Sequence, residues 1–125
     1  MGRIRRNIKV EERNFHTLFD TGSRNTYVTE VCAKLLGPKK LPETSHVSLG
    51  GRTHALEQTC LLMAYVEGKF ISTDAYVLSE IGKDEDGEFI EVLFGALAMQ
   101  KWGIRLIPEE EKLDMTYYPK EFVEF

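Results

Sequence analysis

Short apolar runs with period-two alternation, broken by turn residues, dominate this chain and predict strands joined by tight connections. Ile8 to Val10 and Phe15 to Phe19 read as two strands flanking a charged turn at Glu11-Glu12-Arg13. A long strand from about Leu56 to Val66 meets a tight Glu67-Gly68 turn and a return strand from Lys69 to Leu78, which is a hairpin signal. Within the first of these, Cys60, Leu62, Ala64 and Val66 alternate with Leu61, Met63 and Tyr65. Both of its faces are apolar, as expected of a strand covered on both sides in a small barrel. The period changes twice. Thr29 to Leu36 reads as a short helix stopped by Gly37-Pro38, and the stretch after Gly95 as a second one ended by Gly103. Pro38 to Pro42 is predicted as a loop, Ser79 to Glu88 as a polar, acidic loop, and Pro108 to Glu111 as a charged turn before a last strand around Leu113 to Tyr118. The start, Arg3-Ile4-Arg5-Arg6, reads as a solvated arm or an edge strand protected by its charge.

Two segments share one plan. Leu18-Phe19 runs into Asp20-Thr21-Gly22-Ser23 and then the first helix; Phe89 to Phe94 runs into Gly95 and then the second, up to Trp102. Apolar strand, glycine turn and short helix, repeated once, suggest an internal pseudo-twofold. The first turn carries an ionisable group, Asp20. Gly22, lacking a Cβ, lets the chain turn sharply so that main-chain N–H groups point at the carboxylate. Thr21 offers a hydroxyl able to bond across to a second copy of the loop, and Ser23 one able to reach the outer carboxylate oxygen. The same tripeptide also fits an ordinary strand-ending turn, in which Asp, Gly and hydroxyl residues are favoured for local reasons.

Taken together, these segments make residues 14 to 107 resemble the retroviral-type aspartic proteases, the retropepsin family. The elements follow the family's order: Asp20-Thr21-Gly22-Ser23, a glycine hairpin at Val47 to Thr53 similar to the flap, and the closing strand, glycine and helix from Val92 to Trp102. The resemblance implies an all-β fold, a small closed acid-protease barrel with one or two short helices, occupying residues 1–125 as a single domain with a C-terminal extension from about 108. It implies Asp20 as the catalytic residue, Thr21, Gly22 and Ser23 as its support, Leu49, Gly50, Gly51 and Arg52 as the flap, and Gly95 as the second-half turn. Two departures stand out. Family members usually have Ala where Ser23 stands, and retroviral ones have an acidic residue and often an Arg where this chain has Arg24 and Ala96, which removes the usual supporting ion pair.

An aspartic protease needs two carboxylates side by side, and 125 residues with a single Asp-Thr-Gly supply one. The implied assembly is a symmetric homodimer with two flap hairpins, each subunit supplying Asp20. The implied activity is peptide-bond hydrolysis through a shared water, on a peptide or protein substrate, with no cofactor and no metal. The alternative, motivated by Arg24 and Ala96, is a catalytically silent homodimer that binds extended peptides.

Composition bounds the rest. A net charge of −4 argues against a general nucleic-acid binder. No stretch reaches transmembrane length and the polar start lacks the apolar run of a signal peptide, so a cytoplasmic protein without membrane contact is expected. Cys32 and Cys60 read as small buried hydrophobes. Asp84, Asp86 and Glu88 around Gly87 lack the full calcium-loop spacing and read as a solvated hairpin loop, while His16, His46 and His54 form no metal-binding pair at helical spacing.

Overall fold

A computed structural model describes residues 2–122 and contains nine strands, two short α-helices and one 3-10 turn. The strands are β1 (Arg3–Val10), β2 (Arg13–Asp20), β3 (Tyr27–Thr29), β4 (Lys39–Leu49), β5 (Arg52–Val66), β6 (Lys69–Leu78), β7 (Val92–Phe94), β8 (Arg105–Ile107) and β9 (Lys112–Asp114). The helices are α1 (Glu30–Ala33) and α2 (Ala96–Trp102). Strands run in the order β1-β2-β7-β3-β6-β5-β4, and β1 also pairs with β5, so six of them close a ring and β4 extends from it. The fold is all-β, a small closed barrel with two short helices.

The ring closes on a core of alternating side chains. Ile8, Val10, Phe15, Phe19, Leu62, Ile71, Val92 and Phe94 are essentially inaccessible to solvent, and burying each such side chain contributes about 1.5–3 kcal/mol. Phe19 and Phe94 meet with ring centroids 4.8 Å apart, which locks β2 to β7. These two strands run parallel, with Thr17, Leu18 and Phe19 opposite Val92, Leu93 and Phe94, so both glycine turns emerge at the same end of the barrel. Cys32 and Cys60 are buried free thiols, pushed up to about 12 and about 11 by burial, and behave as apolar packing.

Several elements depart from expectation for identifiable reasons. The first helix is shorter, because the N–H and hydroxyl of Thr29 both bond to the Glu91 carbonyl and hold that residue in the sheet; Lys34 to Leu36 continue as turns. Residues 39–42 are not a loop. They begin β4, whose register against β5 shifts between Lys40 and Ser45, and Pro42 falls within the shift, where no donor is required of it. The last strand is confined to Lys112–Asp114, since the Asp114 carboxylate accepts the Thr116 N–H and turns the chain. Arg3 to Arg6 are not a free arm: they lie in β1, which pairs along its whole length with β2 and closes the ring on β5 at Lys9, opposite Tyr65, so only its Arg3 end has an open side. The two-sided burial expected for β5 is corrected. Cys60, Leu62, Ala64 and Val66 face the core, but Leu61, Met63 and Tyr65 are about half exposed, because one layer closes the barrel and nothing covers its outer face there among the described residues.

The acidic segment between β6 and β7 is built, not merely solvated. Only 2% of the Asp84 side chain is exposed. Its Oδ1 accepts the backbone N–H groups of Asp86 and Glu88, while Oδ2 meets His16 Nε2 at 2.6 Å and Arg5 Nη1 at 3.3 Å. The residue therefore straps this segment onto β1 and β2. Burial works to raise its pKa, but the hydrogen bonds from His16, the two backbone N–H groups and Arg5 together hold the carboxyl well below the usual carboxylate range. A carboxyl depressed in the folded state stabilises fully above its unfolded value and loses that contribution as pH falls toward the folded one. Asp84→Asn should therefore lower the melting temperature at neutral pH and flatten the loss of stability below about pH 4, measured by urea unfolding across pH. An unchanged acid limb would mean that Asp84 is not the strap.

Candidate active site

Asp20 is the last residue of β2, where the buried strand ends and the chain turns. The residue is 9% exposed. Its Oδ1 accepts the Gly22 N–H at 2.8 Å, and its backbone carbonyl accepts the Ser23 N–H at 3.1 Å, so the turn wraps around its own carboxylate. The other oxygen, Oδ2, receives Arg3 Nε at 3.1 Å. Thr21 is bonded within the chain, its N–H to the Gly2 carbonyl and its hydroxyl oxygen to the Gly2 N–H. Ser23 does not turn toward the carboxylate. Its hydroxyl donates to the Asn25 carbonyl at 2.9 Å and shapes the loop beyond the glycine.

The second glycine turn braces the first. Gly95 precedes α2, and a Cβ placed there would lie 2.2 Å from the Asn25 carbonyl oxygen, so only glycine allows the two backbones to approach this closely. The first amides of α2 then reach across: Ala96 N–H bonds the Ser23 carbonyl at 2.6 Å and Leu97 N–H the Arg24 carbonyl at 3.1 Å. Thr26 completes the junction. Its buried hydroxyl oxygen accepts the Gly95 N–H at 3.0 Å, and its carbonyl accepts the Tyr76 N–H. Sequence reasoning passed over Thr26; a small hydroxyl residue immediately before the apolar β3 was the available signal. Arg24 makes no ion pair among the described residues and Ala96 carries no charge, so the loop is held by main-chain bonds where a side-chain pair was expected to be missing.

The glycine hairpin connects β4 to β5 through Gly50 and Gly51, with φ of 57° and 78°, a two-residue turn that matches strand twist only with positive φ at both positions. Leu49 pairs opposite Arg52, whose Nη1 lies 3.0 Å from Glu80. Val47 and Leu49 fold onto a second apolar cluster of Leu18, Tyr27, Leu56, Leu78, Ile90 and Leu93, which neighbours the strand carrying Asp20. Alongside, a cavity of about 420 Å³ is lined by Arg3, Arg5, His16, Leu18, Lys83 and Asp84 among others. Ligand-capable atoms of His16, Asp84 and Glu88 lie within 4.8 Å of one another. Arg5 already supplies the positive charge there, 3.3 Å from Asp84 Oδ2 and 2.5 Å from Asp86 Oδ2, so the donor set is that of an ion-pair network. No helix among the described residues is long and apolar enough to cross a membrane.

No family model and no curated protein matches the sequence. Solved structures do match the fold. The retroviral protease-like domain of Ddi1 from Leishmania major superposes with a TM-score of 0.64 at 11% identity, over 93% of this chain and 90% of that one. The simian foamy virus (mac) protease does so with a TM-score of 0.52 at 9% identity, over 85% of this chain and 100% of that one. The foamy viral protease-reverse transcriptase in complex with an RNA/DNA hybrid gives 0.55 at 12% identity, over 80% of this chain but 12% of that much longer one. With its closed ring, paired glycine turns and glycine hairpin, the chain has the retropepsin-like fold of the retroviral proteases.

Proposed function

We propose that this chain is an aspartic endopeptidase whose site is completed when two copies pair about a twofold axis, each contributing Asp20. The observation that carries the reading is the Asp20 turn itself. A carboxylate ending a buried strand is held by the Gly22 amide and braced from behind by α2, at the barrel end where both glycine turns meet. The fold of the solved relatives supports it. Residues 1–125 act as one domain in this reading, and the two buried thiols accord with a cytoplasmic setting.

Chemistry follows from pairing. Two carboxylates side by side cannot both ionise easily, so they hold one proton between them. The ionised one takes a proton from a shared water, which attacks the scissile carbonyl. The protonated one donates to the carbonyl oxygen, and a proton passes to the leaving nitrogen as the tetrahedral intermediate collapses. Flap hairpins tipped by Gly50-Gly51 close over an extended peptide, bonding its backbone as added strands and excluding water. Arg52 is a surface turn residue paired with Glu80. A second reading, a silent peptide-binding homodimer, is favoured by the absence of a charged side-chain pair at Arg24 and Ala96; the main-chain bracing of the loop favours catalysis.

Asp20→Asn keeps the shape and removes the ionisable group, so it should abolish cleavage of a denatured protein mixture, scored by sequencing new ends, while the melting temperature stays close to wild type. Cleavage persisting in the purified variant would remove the enzyme assignment, and a wild type that binds peptide without cutting would favour the silent reading. For the hairpin, Gly51→Val forces a branched side chain into positive φ, at a local cost of about 1–3 kcal/mol. Turnover of long peptides should fall roughly tenfold while the melting temperature drops by about 3–15 °C, leaving the barrel folded at the assay temperature. Unchanged turnover would mean that this hairpin is not a flap.

A further inference from the structure

We infer that Gly2 and Arg3 form a latch, made within one chain, over the groups of the catalytic loop through which a second copy would pair. The inference rests on the dimeric reading above. Thr21 is the loop residue placed to bond across to another copy, yet its N–H donates to the Gly2 carbonyl at 3.1 Å and its hydroxyl oxygen accepts the Gly2 N–H at 3.0 Å. Asp20 presents one oxygen to its own loop, and the outer one is taken by Arg3 Nε at 3.1 Å. A guanidinium on that oxygen stands where a partner carboxylate and the shared water would have to be. Latched and paired states are therefore mutually exclusive.

The latch is also built to release. It sits at the last rung of the β1–β2 ladder, Arg3 opposite Asp20, far from the Lys9 rung that ties β1 to β5. Ladder ends open at little cost. Arg3 is 62% exposed along its side chain and the Asp20 carboxylate 13%, so solvent and salt reach the pair from the Arg3 side and screen it in part. A pair solvated on its Arg3 side is worth a bias of about fivefold, and a dimer needs two latches opened, so the combined bias reaches roughly thirtyfold. The chain then exists as a latched monomer exchanging with an open dimer, and whatever displaces residues 2 and 3 activates it.

Sedimentation velocity and peptide cleavage, measured on wild type, Arg3→Ala and Asp20→Asn over a dilution series, test this. Arg3→Ala should tighten the dimer by about fivefold to thirtyfold and raise cleavage per chain at low concentration by a comparable factor. High salt should strengthen the wild-type dimer and leave Arg3→Ala nearly unmoved. Hydrogen exchange on the dilute monomer gives an independent reading, since the Thr21 amide should lose protection in Arg3→Ala. If Arg3→Ala pairs no better than wild type while Asp20→Asn still kills cleavage, the latch is wrong and the protease reading stands. If neither wild type nor Arg3→Ala pairs or cleaves at any concentration, both are wrong.

Discussion

Everything around Asp20 depends on the close approach of two backbones at Gly95. A side chain there would collide with the Asn25 carbonyl, and the Asp20 turn would lose the amides of Ala96 and Leu97 that hold it. The approach is possible because β2 and β7 run parallel and in register, pinned by Phe19 against Phe94, so both turns leave the barrel together. Removing either ring would cost about 3–5 kcal/mol, a large share of the stability of a domain this size. The position of the carboxylate is thus set by the core and not by side-chain pairing at the surface. That is how the loop keeps its form although Arg24 and Ala96 supply no ion pair among the described residues.

Much of this was legible in the sequence. Strand, Asp-Thr-Gly and a following hydroxyl residue mark the Asp20 turn; two consecutive glycines between alternating runs mark the hairpin; Gly103, at φ 66°, ends α2 where expected. These are local signals, and local signals survive in sequence. What escaped is tertiary. Ser23 and Asp20 are neighbours in the chain, but the Asn25 carbonyl wins the Ser23 hydroxyl. Asp84 looked like one more solvated acid because its partners Arg5 and His16 are distant in sequence. The outward Leu61, Met63 and Tyr65 read as buried because composition records apolarity and not whether a second layer exists to cover it.

Rigidity and exchange meet on adjacent rungs of the β1–β2 pair, Ile4 opposite Phe19 and Arg3 opposite Asp20. At Phe19 the pair is fully buried; one rung on, the solvated Arg3 side chain meets the largely buried Asp20 carboxylate. The Asp20 carboxylate therefore keeps its backbone cradle whether or not Arg3 holds its outer oxygen, and in the proposed dimer releasing Arg3 would require no repacking of the core.

The most direct test of the central claim, that one site is built from two chains, is a mixing titration. Asp20→Asn is added to a fixed amount of wild type at concentrations where the chain sediments as a dimer, with subunits allowed to exchange. Paired sites require that an equal amount of the variant reduce total cleavage to about half, with further additions lowering it toward zero as mixed dimers accumulate. Cleavage that stays constant as the variant is added would show that each chain works alone, and would contradict a site made from two Asp20 carboxylates.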